Sequence, residues 1–529
     1  MFALGVRGVV ADRDAHWVDR TGDVPAAPDA PTVQDGRTVG QRGSDALNMT
    51  TVNNRLGENK ELEMGRPAFD AAVTALRQSY AAIPDGATVR LAKKTSNLFR
   101  KRAATTAPGL DVSGLNRVIS VDAENRTADV AGMCTYEDLV AATLRYGLAP
   151  LVVPQLKTIT LGGAVTGLGI ESTSFRNGLP HESVREIDIL TGAGEVITAT
   201  PTGEHADLYF GFPNSYGTLG YSTRLRIDLE PVPPFVELRH VRFTDLTTLQ
   251  TTMDRIIADG SYDGEQVDYL DGVVFTADEA YLCLGRQTDS PGTTSDYTGM
   301  DIYYKSIRHG AAQTPIRDRL TIADYLWRWD TDWFWCSRAF GAQNPRIRRF
   351  WPKRLLRSSF YWKLIGIDQK INFSDKRNAR RGLPPDERVV QDVEVPLENT
   401  AAFLHWFLDN VPIEPIWLCP LRLREPATPG ADAGRPWPLY PLEPKRTYVN
   451  IGFWSAVPTV PGNVEGHTNR LIEQKVSELD GHKSLYSESF YDEAEFDRLY
   501  GGDRLRQLKE RYDPKSRLLN LYAKAVKKQ

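Results

Sequence analysis

The stretch Thr160-Leu161-Gly162-Gly163-Ala164-Val165-Thr166-Gly167-Leu168-Gly169-Ile170-Glu171-Ser172 decides how this chain is read. Counting Gly178, it sets five glycines within nineteen residues. Glycine removes the side chain where something bulky must approach the backbone, and exposed N–H groups in such a loop offset the charge of a pyrophosphate by direct hydrogen bonds. A tight structural turn would place glycines there equally well. The spacing is not G-x-G-x-x-G, and no helix with an acidic residue in the ribose-binding place follows. A nicotinamide-binding doubly wound domain is therefore disfavoured.

Segments on either side shift the balance toward a phosphate-bearing ligand. Upstream, a short strand-like Val89–Ala92 leads into Lys93-Lys94-Thr95-Ser96-Asn97-Leu98, a basic and hydroxyl-rich loop of the kind phosphate binding needs. Downstream, Tyr216-Gly217-Thr218-Leu219-Gly220 precedes a strand with alternating Leu225, Ile227 and Leu229. Between them, apolar spacing predicts a helix over Ala68–Ala81. Strands are expected at Val118–Val121 and Thr127–Val130, and a helix at Tyr136–Tyr146 with Thr135 as its cap and Gly147 as its stop. Leu148–Val153 reads as a strand, and Val184–Leu190 with Glu195–Thr200 as a hairpin. Pro231-Val232-Pro233-Pro234 then punctuates the chain.

The 529 residues exceed one ordinary core, so two domains and a flexible end are expected. The expected division is a disordered extension over 1–62, a ligand-binding α+β unit over 63–232, a second domain over 233–465 and a helical segment over 466–529. Met49 and Met64 are alternative starts nearer the first ordered segment. Hydrophobic residues make up 41% and charged residues 25%, the balance of a globular protein, and a net charge of -4 points to no polyanionic partner. Cys134, Cys283, Cys336 and Cys419 are scattered without metal-type or C-x-x-C spacing, which reads as reduced thiols in a cytoplasmic protein. No uninterrupted apolar run of about 18 residues is present, and the N-terminus lacks the hydrophobic core of a signal peptide. The eight histidines form no metal-like pair and Gly-x-Ser-x-Gly is absent, so a metal site or a serine hydrolase has little support.

In order and spacing, the three loops resemble the FAD-binding domain of vanillyl-alcohol-oxidase-type flavoproteins. The resemblance implies an α+β fold in which two lobes clasp an extended FAD, followed by a substrate-binding cap. A closer likeness runs from about residue 88 to 527. The segments Val153–Gly163, Gly169–Ser174, Gly217–Gly220, Pro415–Pro420 (P-I-W-L-C-P), Tyr448–Gly452 (Y-V-N-I-G) and Ser484–Phe496 are similar to those of the delta-24 sterol reductases. They are similar also to the actinobacterial flavin reductases of methylene-branched fatty acyl chains. Two departures stand out: the polar start replaces a membrane-spanning helix, and the Lys93–Leu98 loop differs from its sterol-enzyme counterpart.

The resemblance implies FAD, a reduced nicotinamide (NADPH) and saturation of a carbon–carbon double bond in a lipid. The methylene-branched acyl chain is favoured over a sterol side chain. FAD contacts are expected at Lys93, Lys94, Thr95, Ser96, Asn97, Leu98, Pro154, Thr160, Gly162, Gly163, Gly167, Gly169, Ile170, Ser172, Gly178, Gly217 and Gly220. The Lys93–Leu98 loop contains neither histidine nor cysteine, and His181 reads as a surface or capping residue, so FAD is expected to be non-covalent. Alkene reduction needs a positioned acid in a dry pocket; candidates are Tyr448, Asn450, Tyr486, Glu488 and Tyr491, with Glu171 in the glycine run.

Six of the eleven tryptophans fall between Trp327 and Trp362, and Arg338–Arg381 holds thirteen basic against two acidic residues. Indoles beside Lys and Arg suit an anionic lipid surface, so residues 324–381 are expected to dock a cytoplasmic protein peripherally on a membrane. The other readings are a buried cap core with a solvated basic face, and single-stranded nucleic acid, which a flavin enzyme disfavours. Two further function classes stay open. One is an FAD oxidase or dehydrogenase of a hydrophobic alcohol or similar molecule; the other is a flavin-binding scaffold partnering a companion lipid-modifying enzyme.

Overall fold

The computed structural model describes residues 61–92, 99–100, 109–308, 316–371, 373–424 and 435–528. The expected disordered extension up to residue 60 and the Lys93–Leu98 loop lie outside the described residues. Order starts earlier than the sequence indicated. Leu62 is buried, Glu63 bridges Val118, and the first helix spans Gly65–Ala81.

The first sheet is antiparallel and takes its strands from β1 (Val118–Asp122), β2 (Thr127–Ala131), β3 (Leu148–Pro150), β4 (Val184–Thr191), β5 (Val196–Ala199) and β6 (Gly220–Pro231). Its order is β1-β2-β6-β4-β5, with β3 paired to the end of β6. The helix Tyr136–Thr143, capped by Thr135 accepting from Asp138 N, buries Tyr136, Leu139 and Val140 against this unit. Val89–Ala92 is not a strand; it contributes a single bridge from Leu91 to Leu110. The α+β character expected of this part is met.

Beyond Pro231–Pro234 the chain builds β7 (Phe235–Phe243), a two-residue-per-strand ribbon β8 (Ser261–Tyr262) and β9 (Glu265–Gln266), β10 (Tyr269–Thr276), β11 (Glu279–Thr288), β12 (Ile316–Thr321), β13 (Asp386–Pro396), β14 (Ile416–Arg422), β15 (Thr447–Pro458) and β16 (His482–Lys483). All but the ribbon form one eight-stranded sheet, β12-β7-β11-β10-β14-β15-β13-β16, with each neighbouring pair antiparallel. Successive side chains alternate between its faces. One face sends Leu270, Val274, Leu282, Leu418, Val393 and Ile451 into a core with the helices Leu246–Asp259 and Thr400–Asn410. The other face belongs to the larger core shared with the first sheet and carries Tyr269, Val273, Cys283, Trp417 and Cys419.

The chain end returns to the first unit through helices Gly502–Tyr512 and Leu521–Ala525. Val89 N donates to Arg517 O (2.8 Å), Lys509 Nζ to Thr218 O (3.1 Å) and Lys524 Nζ to Gly217 O (2.9 Å). These bonds fasten the Tyr216–Gly220 loop, where Tyr216 and Gly217 both hold positive φ.

The tryptophan segment is where the docking expectation needs correction. Trp327, Trp329, Trp333 and Trp335 are buried, and Trp351 and Trp362 are half-buried. Trp329 stacks on Phe334 at 4.8 Å, and Phe334 packs against Trp454 at 4.3 Å. Buried apolar area rewards the indoles more in this core than at an interface, so they do not form a lipid-facing belt.

Candidate functional site

Thr160 caps a short helix, Leu161–Thr166, its hydroxyl accepting from Gly163 N. The glycines in and after this helix are required chiefly by the protein itself. A Cβ on Gly162 would lie 2.3 Å from Ser222 Oγ and 2.6 Å from Gly132 O. One on Gly169 would meet the rings of Pro180 and Pro154 at 2.7 and 2.8 Å, and one on Gly178 would strike the Glu182 carboxyl. The N–H groups of Leu161 and Gly162 are likewise taken, by Cys134 O and Gly132 O. The helix start is therefore not the open cradle the glycine pattern suggested. The free donors come one turn later: among the described residues, Leu168 N, Gly169 N and Ile170 N form no hydrogen bond. Buried backbone donors are paired in the great majority of cases. Three consecutive N–H groups between buried Gly167 and Ile170 suit the acceptor atoms of a bound ligand.

The polar face of the second sheet lies beside this run. Reading across the strands, His482, Glu394, Asn450 and Cys419 stand side by side, and so do Asp271, Cys283 and His240. The register between β10 and β14 joins the two groups into one row. Tyr440 links the row to the glycine run, since its hydroxyl donates to Gly167 O (3.4 Å) and its acidity is depressed first by burial and then by the Glu394 charge. Tyr216 packs on Gly167 with the Arg100 guanidinium 5.1 Å from its ring.

Two carboxyls in this region are pushed toward their acid forms. Burial raises Asp392 to about 7, partly offset by hydrogen bonds from Asn450 and Tyr486. Burial also raises Glu394 well above the usual carboxylate range, opposed by its bond from Ser484 Oγ (2.7 Å). Its second oxygen faces His482 Nε2 at 3.5 Å, and burial drops that imidazole to about 3, so it is neutral. Around Asp392 the walls are aromatic. Tyr486 Oη accepts from Trp454 Nε1 (3.0 Å), the Tyr486 ring meets Phe99 edge-on at 5.7 Å, and Phe99 contacts Trp362 at 4.5 Å.

The expected site residues divide into two groups. Asn450 and Tyr486 converge on Asp392, a residue the sequence reading missed. Tyr448 instead accepts from Glu443 N (3.3 Å) beneath Arg446. Glu488 lies 3.7 Å from Lys528, and Tyr491 packs on Tyr500. Glu171 joins a buried ion triad: Arg328 Nη2 reaches Glu171 Oε1 at 2.7 Å and Asp271 Oδ2 at 2.9 Å. The Trp329 and Trp417 indoles also donate to Asp271 Oδ2. Burial raises Glu171, with Arg328 opposing, and its Oε2 has no partner among the described residues. This triad pins the glycine run to the tryptophan segment. Ser172, expected to contact FAD, bonds the Tyr325 hydroxyl (2.9 Å). His181 is neither on the surface nor a cap; it is buried against Trp437 and Tyr440, and burial lowers it to about 3.

A bound FAD needs backbone N–H donors in a loop, and the unpaired donors from Leu168 to Ile170 fit that need. The FAD binding domain family matches residues 75–200. The chain is thus an FAD-dependent oxidoreductase. The Delta(24)-sterol reductase of Arabidopsis thaliana is 25% identical over 441 residues, covering 79% of this chain and 76% of that protein. That of Homo sapiens is 25% identical over 427 residues, covering 78% and 76%. Cytokinin dehydrogenase 10 of Oryza sativa subsp. japonica is 31% identical over 241 residues, 44% of this chain and 42% of that one. Over most of its length the chain is therefore similar to Delta(24)-sterol reductases, and within residues 75–200 it carries the FAD binding domain. Among the described residues no helix is long and apolar enough to cross a membrane, and no cluster of His, Cys, Asp or Glu could hold a metal.

Proposed function

We propose that this enzyme saturates a carbon–carbon double bond in a lipid with electrons from NADPH, a methylene-branched fatty acyl chain ahead of a sterol side chain. One observation carries the reading: the carboxyl beside the aromatic walls, Asp392, is held toward its acid form and has no cation partner among the described residues. Oxidation of an alcohol or amine calls for a resting base, whereas alkene reduction calls for an acid. The motif likeness extends to sterol and acyl-chain reductases alike, so both lipids enter the test.

Once reduced by NADPH, bound FAD would supply the electron pair as a hydride. Leu168, Gly169 and Ile170 offer N–H donors that hold and orient it non-covalently. Trp333, Phe334, Trp362 and Trp454 exclude water, so that an acid in their midst keeps its proton. Arg100, held by its bond to Leu485 O (2.8 Å), fixes Tyr216 against the glycine run. The basic residues of 324–381 keep a role in this reading: Phe350, 75% exposed under Arg349, with Arg346, Lys353 and Arg354 around it, forms a face suited to anionic headgroups of a cytoplasmic membrane surface.

The alternative is an FAD dehydrogenase or oxidase, favoured by the local likeness to cytokinin dehydrogenase 10. Anaerobic mixing separates the two. NADPH bleaches the flavin of a reductase, and an unsaturated lipid then restores the colour with a two-hydrogen mass gain in the product. Bleaching by an organic substrate but not by NADPH would overturn the reductase reading.

A further inference from the structure

We propose that Asp392 and Tyr486 form the proton-donating pair of the reduction, Asp392 as the reservoir and the Tyr486 hydroxyl as the donor, with Asn450 and Trp454 as positioning residues. This rests on the double-bond reductase reading above.

The local sequence explains how the pair is built. In Asp392-Val393-Glu394-Val395 the valines enter the helix-covered core, and the carboxyls therefore point to the opposite face. Asp392 stands across from Gly452 in the β13–β15 register. A Cβ on Gly452 would lie 2.4 Å from Asp392 Oδ1 and 2.7 Å from the Trp454 ring. The carboxyl thus occupies space that only glycine leaves open, directly beside an indole. Asn450 Nδ2 approaches Asp392 Oδ1 at 3.4 Å from the neighbouring row position.

Tyr486 is placed with equal care. Its backbone carbonyl accepts from Phe99 N (2.9 Å), and its hydroxyl oxygen accepts the Trp454 indole N–H (3.0 Å). With one lone pair used there, the hydroxyl oxygen keeps its other lone pair for the O–H of protonated Asp392, with which it interacts, and leaves its own hydrogen for the substrate. The hydroxyl therefore sits at the seam between the polar row and the aromatic walls formed by Phe99, Trp454 and Phe334. Burial is what keeps Asp392 protonated near neutrality. Glu394, two residues along on the same face, opposes ionisation further whenever it carries charge.

The step balances as follows. The Tyr486 hydroxyl proton would add to one alkene carbon, and reduced FAD would supply the other with a hydride, its hydrogen and electron pair together. The Asp392 proton moves to the tyrosine oxygen, leaving a carboxylate that is reprotonated from water when product departs. Each turnover consumes one double bond, one proton and the hydride, one hydrogen with its two electrons, of one reduced nicotinamide.

The test uses holoprotein reduced anaerobically with NADPH, then mixed with anionic vesicles carrying a methylene-branched fatty acyl chain or a sterol with an unsaturated side chain. Flavin reoxidation and product mass are followed across neutral pH. Because the acid form is the active one, the wild-type rate is expected to fall as pH rises through about 7. Asp392→Asn and Tyr486→Phe should each slow this step by about 10²-fold or more, leave flavin reduction by NADPH within about twofold, and abolish the pH dependence. In infrared spectra at mildly acidic pH, Asp392→Asn should lose a protonated-carboxyl band that titrates in the wild type. An Asp392→Asn enzyme with wild-type reoxidation rate and pH profile overturns the proton assignment and leaves the reductase reading intact. A wild-type flavin that NADPH bleaches but neither lipid reoxidises overturns the reductase reading, and the proton role with it.

Discussion

Replacing Arg328 with leucine is the sharpest probe of how the glycine run is held. Arg328 is fully buried, as are Glu171 and Asp271, and one guanidinium serves both carboxylates. Removing one partner of a buried ion pair leaves uncompensated charge and typically costs about 3–5 kcal/mol. Unfolding entropy of about 2.1 cal/mol/K per residue over the 529 residues makes each kcal/mol worth roughly 1 °C if unfolding is cooperative, so Tm should drop by about 3–5 °C. The pH dependence carries the sign. Without Arg328 the folded-state carboxyl of Glu171, already raised by burial, rises further above its unfolded value. Stability from such a group is present below the unfolded pKa and is lost as pH rises through the folded pKa. The variant's deficit should therefore be small in acid and grow toward neutral pH. Adding Glu171→Gln and Asp271→Asn to Arg328→Leu should recover much of the loss. Calorimetry of the three FAD-loaded proteins decides it. An Arg328→Leu Tm equal to wild type at neutral pH, or a deficit unchanged in acid, would refute the electrostatic account of the triad.

Three further outcomes follow from the same geometry. Gly452→Ala should force the Asp392 carboxyl aside, costing about 1–3 kcal/mol in stability and lowering kcat for lipid reduction more than it raises KM; steady-state kinetics check this. Asp392, at about 7 when folded, contributes stability that is lost as pH rises through that value; Asp392→Asn should flatten this alkaline decline, as read by denaturant unfolding at several pH values. Phe350→Ser with Arg349→Glu should weaken binding to anionic vesicles at low salt while leaving NADPH bleaching unchanged; equal sedimentation with vesicles would count against a lipid-facing role for this face.

The first sheet was legible because its strands are short, amphipathic and separated by turn residues. The β4–β5 hairpin and the Thr135-capped helix emerge within a residue or two of their expected limits, apart from the helix's last turn, which tightens to 3-10 geometry. Val89–Ala92 makes no regular strand because its partners, Leu110 and Arg517, come from irregular segments elsewhere in the chain that no local pattern announces. The tryptophans misled for a different reason. An indole suits a core and an interface alike, and what decided between them was a stack of aromatic partners contributed by β14 and β15, from Trp417 and Trp454 far along the chain.

The glycine run shows why a correct ligand can be reached through an incomplete mechanism. Gly162, Gly169 and Gly178 are demanded by contacts with Ser222, Pro154 and Glu182, so their number measures close packing as much as ligand approach. The donors free to serve FAD include Leu168 and Ile170, whose side chains conceal them in a search for glycine. The proton-donating pair was hidden more deeply, although a signal was present. Two acids alternating with valine in Asp392-Val393-Glu394-Val395 place charge on one face of a strand whose other face is core. Solvent is the ordinary destination of such a face. Here the first sheet and the tryptophan segment shield it, and each carboxyl held away from solvent must then either find a cation or keep its proton. Glu171 found Arg328; Asp392 has Tyr486, Asn450 and no cation among the described residues. That difference in partners, rather than burial alone, separates the carboxyl that holds the structure together from the one placed to give up a proton.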